Sequence, residues 1–231
     1  MGVIKEIEQF HAEMTEWRRD IHRHPELKYE ENRTSDLVAE KLHEFGIEIH
    51  RGLAKTGVVG TIRNGDGPSI GLRADLDALP LEEKNSFEHA TTYPGKMHAC
   101  GHDGHIAMLL GAAKYLVTSK DFKGTINFIF QPAEEGLGGG RAMIEEGLFE
   151  RFPMQAIYAL HNWPSLPAGQ VAVRSGAIMA ATDRLDIRVR GKGGHGGVNP
   201  HLSTDPVRMA GALIQNLHSV VARDINPLSP A

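Results

Sequence analysis

Apolar residues recur at helical spacing through the first segment, where Ile4, Ile7, Phe10, Met14, Trp17 and Ile21 share one face before Pro25 stops the run. A second helix is expected from about Glu31 to Phe45, with Leu37, Val38, Leu42 and Phe45 as its stripe and Gly46 as its stop. Two short β-type runs follow, Gly57 to Ile62 and Ser69 to Arg73, separated by the turn residues Asn64 to Pro68. Ile106 to Val117 is apolar nearly all round and reads as a buried helix. Thr125 to Phe130 reads as a strand, Gly138 to Glu146 as a short helix and Ala156 to Leu160 as another strand. Continuous apolar strands alternating with helices predict an α/β fold, a mixed or parallel sheet covered by helices. In such sheets chemistry gathers at strand ends, where Arg73, Gln131 and His161 fall.

The pattern changes near Thr182. Arg184 to Arg190 alternates strictly, as a strand with one wet face would, and a glycine-rich loop runs from Gly191 to Gly197. A helix from about Asp205 to Val221 then places Val207, Ala210, Leu213, Ile214 and Leu217 on one face. Two domains are expected: residues 1–182, and residues 183–231 as the start of a smaller α+β unit. One strand and one helix are too little to stand alone, so this second unit is read as cut off.

Composition narrows the function classes. With 231 residues, 41% hydrophobic and 23% charged, the chain is an ordinary globular one, and its net charge of −4 gives no reason to expect nucleic acid or anionic membrane as a partner. The basic stretch Arg18 to His24 is read as the solvated face and end of a helix. The single cysteine, Cys100, cannot form an internal disulfide. No signal segment or transmembrane run is visible, and a reducing, cytoplasmic setting is expected.

The candidate chemistry sits in three places. In Met97-His98-Ala99-Cys100-Gly101-His102-Asp103-Gly104-His105, a thiol and an imidazole two residues apart flank a glycine and can converge on one cation. Inert packing and a Cys100–His102 nucleophile pair are the other readings of Cys100; the pair has no obvious orienting group. Glu134 and Glu135 follow a strand and are locked between Pro132 and Gly136. Either they are two solvated carboxylates, or one binds metal while the other serves as general base. His161, before Asn162-Trp163-Pro164, is a third ligand or a satisfied core histidine. Asp75 or Asp77, just past a strand, could hydrogen-bond a ligand imidazole. His195, between glycines, is a substrate-touching gate or an ordinary loop residue; the loop lacks the Gly-Lys-Ser/Thr ending of a nucleotide loop.

At these residues the chain resembles the M20 metallopeptidase family, in its N-acyl-amino-acid amidohydrolase branch of hippurate hydrolases, auxin-conjugate hydrolases and N-acetyl-diaminopimelate deacetylases. The stretches that carry the resemblance are Trp17 to Leu27, Leu72 to Pro80, Met97 to His105, Gln131 to Gly136, Ala159 to Pro164 and Gly191 to Gly197. The resemblance implies a zinc-peptidase-like catalytic domain with a lid that also dimerises. It implies Cys100, His102, Glu135 and His161 as ligands of two divalent metals (Mn²⁺ or Zn²⁺, with Ni²⁺ or Co²⁺ possible). Glu134 would be the general base, Asp75 a supporting carboxylate and His195 the group that steadies the oxyanion, often in the partner subunit's site. Arg73 stands where other branches carry a ligand histidine. The implied reaction is cleavage of an N-acyl amino acid by a homodimer. An inactive fragment that binds metal or dimerises, and a dipeptidase or carboxypeptidase, are the alternatives. Relatives supply a last ligand histidine from beyond the lid, so this chain is expected to lack one imidazole.

Overall fold

The computed structural model describes residues 4–179 and 184–226. These divide into two compact units, Met1–Ser165 and Leu166–Ala231.

In the first unit the opening apolar stripe is carried by two helices, α1 (Lys5–Glu8) and α2 (His11–Arg23), because the backbone turns at Gln9 and Phe10. A side-chain pattern does not register such a break, since the stripe stays in phase across it. Helix α3 (Asn32–Glu44) follows and ends before Gly46, whose φ of +75° closes it. The sheet then begins with β1 (Glu48–Leu53), β2 (Gly57–Asn64) and β3 (Ser69–Asp75). Strand β1 was not expected from the sequence; its polar Glu48, His50 and Arg51 suit an edge strand, paired on one side only with β2.

Helix α4 (His102–Ser119) starts four residues earlier than its apolar run, at the polar end of the Cys-His segment. It is followed by β4 (Gly124–Gln131), the short helices α5 (Gly139–Glu145) and α6 (Leu148–Arg151), and β5 (Ala156–Ala159). The strand order is β1-β2-β4-β3-β5, with β1, β2 and β4 antiparallel in sequence and β4, β3 and β5 mutually parallel. This is the mixed α/β sheet that the continuous apolar strands predict.

The strands are apolar on both faces because both faces are covered. Val58, Ile62, Ile126, Phe128 and Phe130 pack with Trp17, Ile21, Val38, Leu42, Ile106 and Leu110 from α2, α3 and α4. Val59 and Ile129, one residue out of phase, pack on the opposite face with Met143 and Leu148 from α5 and α6. Fully burying a side chain such as Phe128 or Phe130 contributes about 1.5–3 kcal/mol. Register then sets the chemistry: Asp75 lies opposite Gln131 and Arg73 opposite Ala159, so three parallel strands end side by side.

The second unit contains a pairing of Lys192 with Thr204, a single 3-10 turn at Pro200–Leu202 and helix α7 (Pro206–Arg223). Asp205 caps α7 by accepting from the Val207 N–H at 2.9 Å, and Pro206 occupies the first turn, where no donor is needed. The strand expected over Arg184 to Arg190 is not formed; these residues are irregular and mostly exposed. Alternation predicts a strand only where a neighbour completes the ladder, and no partner strand exists among the described residues of this unit. The change of pattern near Thr182 lies outside the described residues. Among the described residues no helix is long and apolar enough to cross a membrane.

Candidate metal centre

The Cys-His segment is bent by Gly101, whose φ of +86° lies in the left-handed region. A Cβ at this position would fall 2.3 Å from the Asn162 side-chain nitrogen. The glycine therefore lets the chain turn sharply between Cys100 and His102 while the His161–Asn162 segment closes over it. Asp103 in the first turn of α4 places a carboxylate where the helix dipole favours one.

Two imidazoles are oriented in the same way. His102 donates from Nδ1 to the backbone carbonyl of Asp77 at 2.7 Å, and His161 donates from Nδ1 to the carbonyl of Asn162 at 2.7 Å. Each Nδ1 bond leaves Nε2 turned to the cluster, and in the neutral ring that nitrogen carries the lone pair a metal ligand needs. His161 Nε2 stands 3.4 Å from the Cys100 sulfur, and the ligand atoms of Cys100, His102 and His161 all lie within 4.8 Å of one another. His102 Nε2 is buried and has no hydrogen-bond partner, with Glu135 Oε1 at 3.9 Å. In the neutral ring, a buried nitrogen without a partner facing a thiol and carboxylates fits a cation.

The turn that carries the two carboxylates is fixed from behind. After β4, Ala133 turns with φ +50° and its N–H donates to the buried Glu31 carboxylate at 2.9 Å. The N–H groups of Glu134 and Glu135 donate to the two oxygens of Asp77 at 3.0 and 2.9 Å. Asp77, 1% exposed, therefore holds both the His102 ring, through its carbonyl, and the Glu134–Glu135 turn. Lys28 donates to the Glu135 carbonyl at 2.9 Å. Oxygens of Glu134 and Glu135 fall within the same 4.8 Å cluster as a His102 nitrogen.

The electrostatics reflect how closely the acidic groups crowd. Burial, then the neighbouring Glu135 charge, pushes the Cys100 thiol up to about 12, with Asp75 and Glu134 adding to it. Burial and the charge of Glu135 likewise raise Glu134. Burial would also raise Asp75, but its bond to His105 and the charges of His102 and Arg73 outweigh that and hold it well below the carboxylate range. Three carboxylates and a thiol crowded together call for positive charge, which a divalent ion supplies while lowering the thiol.

The structure brings Cys100, His102, Glu134, Glu135, His161 and Asp75 to this one cluster. Asp75 does not hold the His102 Nδ1; its Oδ1 accepts from His105 Nδ1 at 2.6 Å and its Oδ2 from Arg73 at 2.7 Å. His105 is a site residue that the sequence reading passed over, although it lies three positions after His102 on the same helical face. Its Nε2 accepts from the Asn162 N–H at 3.1 Å, so both of its nitrogens are engaged. Arg73 also donates to the Gln131 side chain at 3.0 Å. His195 belongs to the second unit, in an exposed turn where its N–H donates to Asn199 Oδ1 at 2.7 Å.

The segment from residue 71 to 229 matches the model of peptidase family M20/M25/M40, which is more than half of the chain. The chain belongs to this family. It is 46% identical over its whole length to the hippurate hydrolase of Campylobacter jejuni, covering 60% of that protein. It is 44% identical to the N-acetylcysteine deacetylase of Bacillus subtilis over 96% of this chain and 58% of the relative. With the N-acyl-L-amino acid amidohydrolase of Geobacillus stearothermophilus it shares 40% identity, covering 97% of this chain and 60% of the other. Among solved structures it is similar to the YXEP protein of Bacillus subtilis, a dinuclear metal binding peptidase from the M20 family, at 42% identity and a TM-score of 0.70 over 73% of this chain and 48% of that one. The chain spans about 60% of the length of these curated relatives.

Proposed function

We propose that this family member hydrolyses the amide bond of N-acyl amino acids in a metal-dependent reaction, releasing a carboxylate and a free amino acid. The observation that carries this reading is the convergence of Cys100 and two carbonyl-oriented imidazoles, His102 and His161, with two carboxylates on the same side. Cys100, His102, Glu135 and His161 are the residues that would hold two divalent ions, zinc or manganese. When bound, the ions supply Lewis-acid polarisation of the scissile carbonyl.

Glu134 is the proposed general base. The Asp77 bond to its N–H anchors the backbone that carries it, and its carboxylate lies within the 4.8 Å group of His102 and Glu135, where it can take a proton from the attacking water and return it to the leaving amine. Asp75 is proposed to orient His105 and Arg73 around the site rather than to touch substrate. His195 is proposed as the donor that steadies the oxyanion, with a homodimer as the working form. The hippurate hydrolase, N-acetylcysteine deacetylase and N-acyl-L-amino acid amidohydrolase relatives support an N-acyl amino acid as substrate. A carboxypeptidase reading is supported by a 44% identical relative, the thermostable carboxypeptidase 2 of Saccharolobus solfataricus.

The test is amine release from hippurate, N-acetyl amino acids and unblocked dipeptides with added Mn²⁺ or Zn²⁺. Turnover of the acylated substrates is expected, and Glu134→Gln should lower it about 10²–10⁴-fold. Dipeptide cleavage alone would favour the peptidase reading. Undiminished turnover by Glu134→Gln would remove Glu134 as the base.

A further inference from the structure

The stretch Arg18 to His24 is not only a solvated helix face. His22, on α2, is 5% exposed and lies between two carboxylates from distant parts of the chain. Its Nδ1 meets Asp103 Oδ2 at 2.9 Å, and its Nε2 meets Glu83 Oε1 at 3.1 Å. Because both partners can only accept when ionised, the ring donates from both nitrogens. Arg18, one turn earlier on α2, donates to the same Asp103 oxygen at 3.1 Å and lies 3.2 Å from His89 Nε2. Glu83 in turn accepts from the Thr91 N–H at 2.6 Å.

These contacts grip the chain on both sides of Cys100. Asp103 directly follows His102, and the Glu83–Thr91 pair anchors the irregular segment that leads into His98 and Cys100. Helix α2 can serve as the fixed post because Trp17 and Ile21 are locked in the core. Hydrogen-bonded groups behind a ligand commonly set its direction as firmly as the ligand's own rotamer does.

We propose that His22 is a positioning residue for the Cys100–His102 turn, acting through Asp103 downstream and Glu83 upstream without touching metal or substrate. This rests on the reading of Cys100 and His102 as ligands. Because Cys100 is the sole cysteine, its alkylation rate in metal-free protein reports the geometry of the turn independently of that reading.

The experiment compares His22→Ala, His22→Asn and His22→Gln in the full chain. Asn offers a donor near the place of Nδ1, toward Asp103, and Gln one near the place of Nε2, toward Glu83. Asp20→Asn is the control, since it removes the 2.7 Å pair of α2 with Arg33 away from the turn. Two quantities are read: Co²⁺ affinity with its thiolate charge-transfer band, and the rate of Cys100 alkylation by iodoacetamide without metal.

His22→Ala is expected to weaken Co²⁺ binding about 10–100-fold, change the band and speed alkylation severalfold. His22→Asn should recover more of the affinity than His22→Gln, and Asp20→Asn should match the unaltered chain. Should His22→Ala not fold, the Asn and Gln pair carries the comparison. Unchanged affinity and alkylation in all three His22 variants would overturn the proposal, as would equal losses in Asp20→Asn. If the unaltered chain bound no Co²⁺, the ligand reading would fail while the alkylation rates still decided the role of His22.

Discussion

Helix α3 buries Val38, Ala39 and Leu42 against the sheet, whereas helix α7, with Val207, Ala210, Leu213, Ile214 and Leu217 on one face, has no buried residue. Both carry an apolar stripe at helical spacing, and both are helices. The difference is that the first unit supplies a sheet for α3 to cover, while the described residues of the second supply no layer over α7. A stripe specifies that a helix can form and which face is sticky. Its contribution to stability depends on whether something removes that face from water.

This contrast can be pressed hardest in the first core. Phe128→Ala, at a fully buried position between the sheet and its helices, should cost about 3–5 kcal/mol in a denaturant melt. A cost near zero would show that the first unit is not the cooperative core.

A smaller effect, confined to the metal centre, is expected for Gly101→Ala. The left-handed backbone costs an alanine about 1–2 kcal/mol. The new Cβ must also push the Asn162 side chain away from His105, so metal affinity should fall along with stability. Loss of stability with unaltered metal affinity would show that Asn162 yields without disturbing the Cys100–His102 turn.

Glu31→Gln tests a buried charge rather than a volume. Burial raises the Glu31 pKa above the ordinary glutamate value of about 4.3 despite its bonds to Thr56 and Ala133. The folded state therefore holds the proton more tightly than the unfolded chain. Stability contributed by the protonated form is present at low pH and is lost as pH rises through the raised value. Glu31→Gln should stay within about 1 kcal/mol of the parent at neutral pH and flatten this acid-side slope. A slope identical to that of the parent would remove Glu31 as its source.

The smallest change is expected in the second unit, where Ile214→Ala on α7 should alter stability by no more than about 0.5 kcal/mol. A cost of 2 kcal/mol or more, on the order seen for buried aliphatic side chains, would mean that this stripe is covered in solution.

Much of the candidate site was legible because the residues that could hold a metal are a rare combination at fixed short spacings. Cys100-Gly101-His102, the Glu134–Glu135 pair and His161 each end or begin a recognisable element, and the β3–β4–β5 register brings them together. The supporting groups were less legible. Asp77 acts partly through its backbone carbonyl, which no side-chain pattern reveals. Glu31 and His22 reach their partners across sequence separations of 102 and 81 residues, and charged residues on a helix or at its start ordinarily face water. The segment Arg184 to Arg190 erred the other way, as a sound alternation without a neighbour to pair with.

By itself the sequence determined most of the helical and extended segments of this protein, though not β1 or the irregular course of Arg184 to Arg190, along with which faces are apolar and which residue types could hold a metal. Those properties are local: they follow from side-chain period, from glycine and proline, and from the chemistry of thiol, imidazole and carboxylate. Only the tertiary structure decided which ring nitrogen of His102 and His161 faces a carbonyl, which carboxylates stand behind the Cys100–His102 turn, and which stripe is buried. Each depends on a partner distant in sequence, because a hydrogen bond or a buried face exists only when the fold brings both of its sides together.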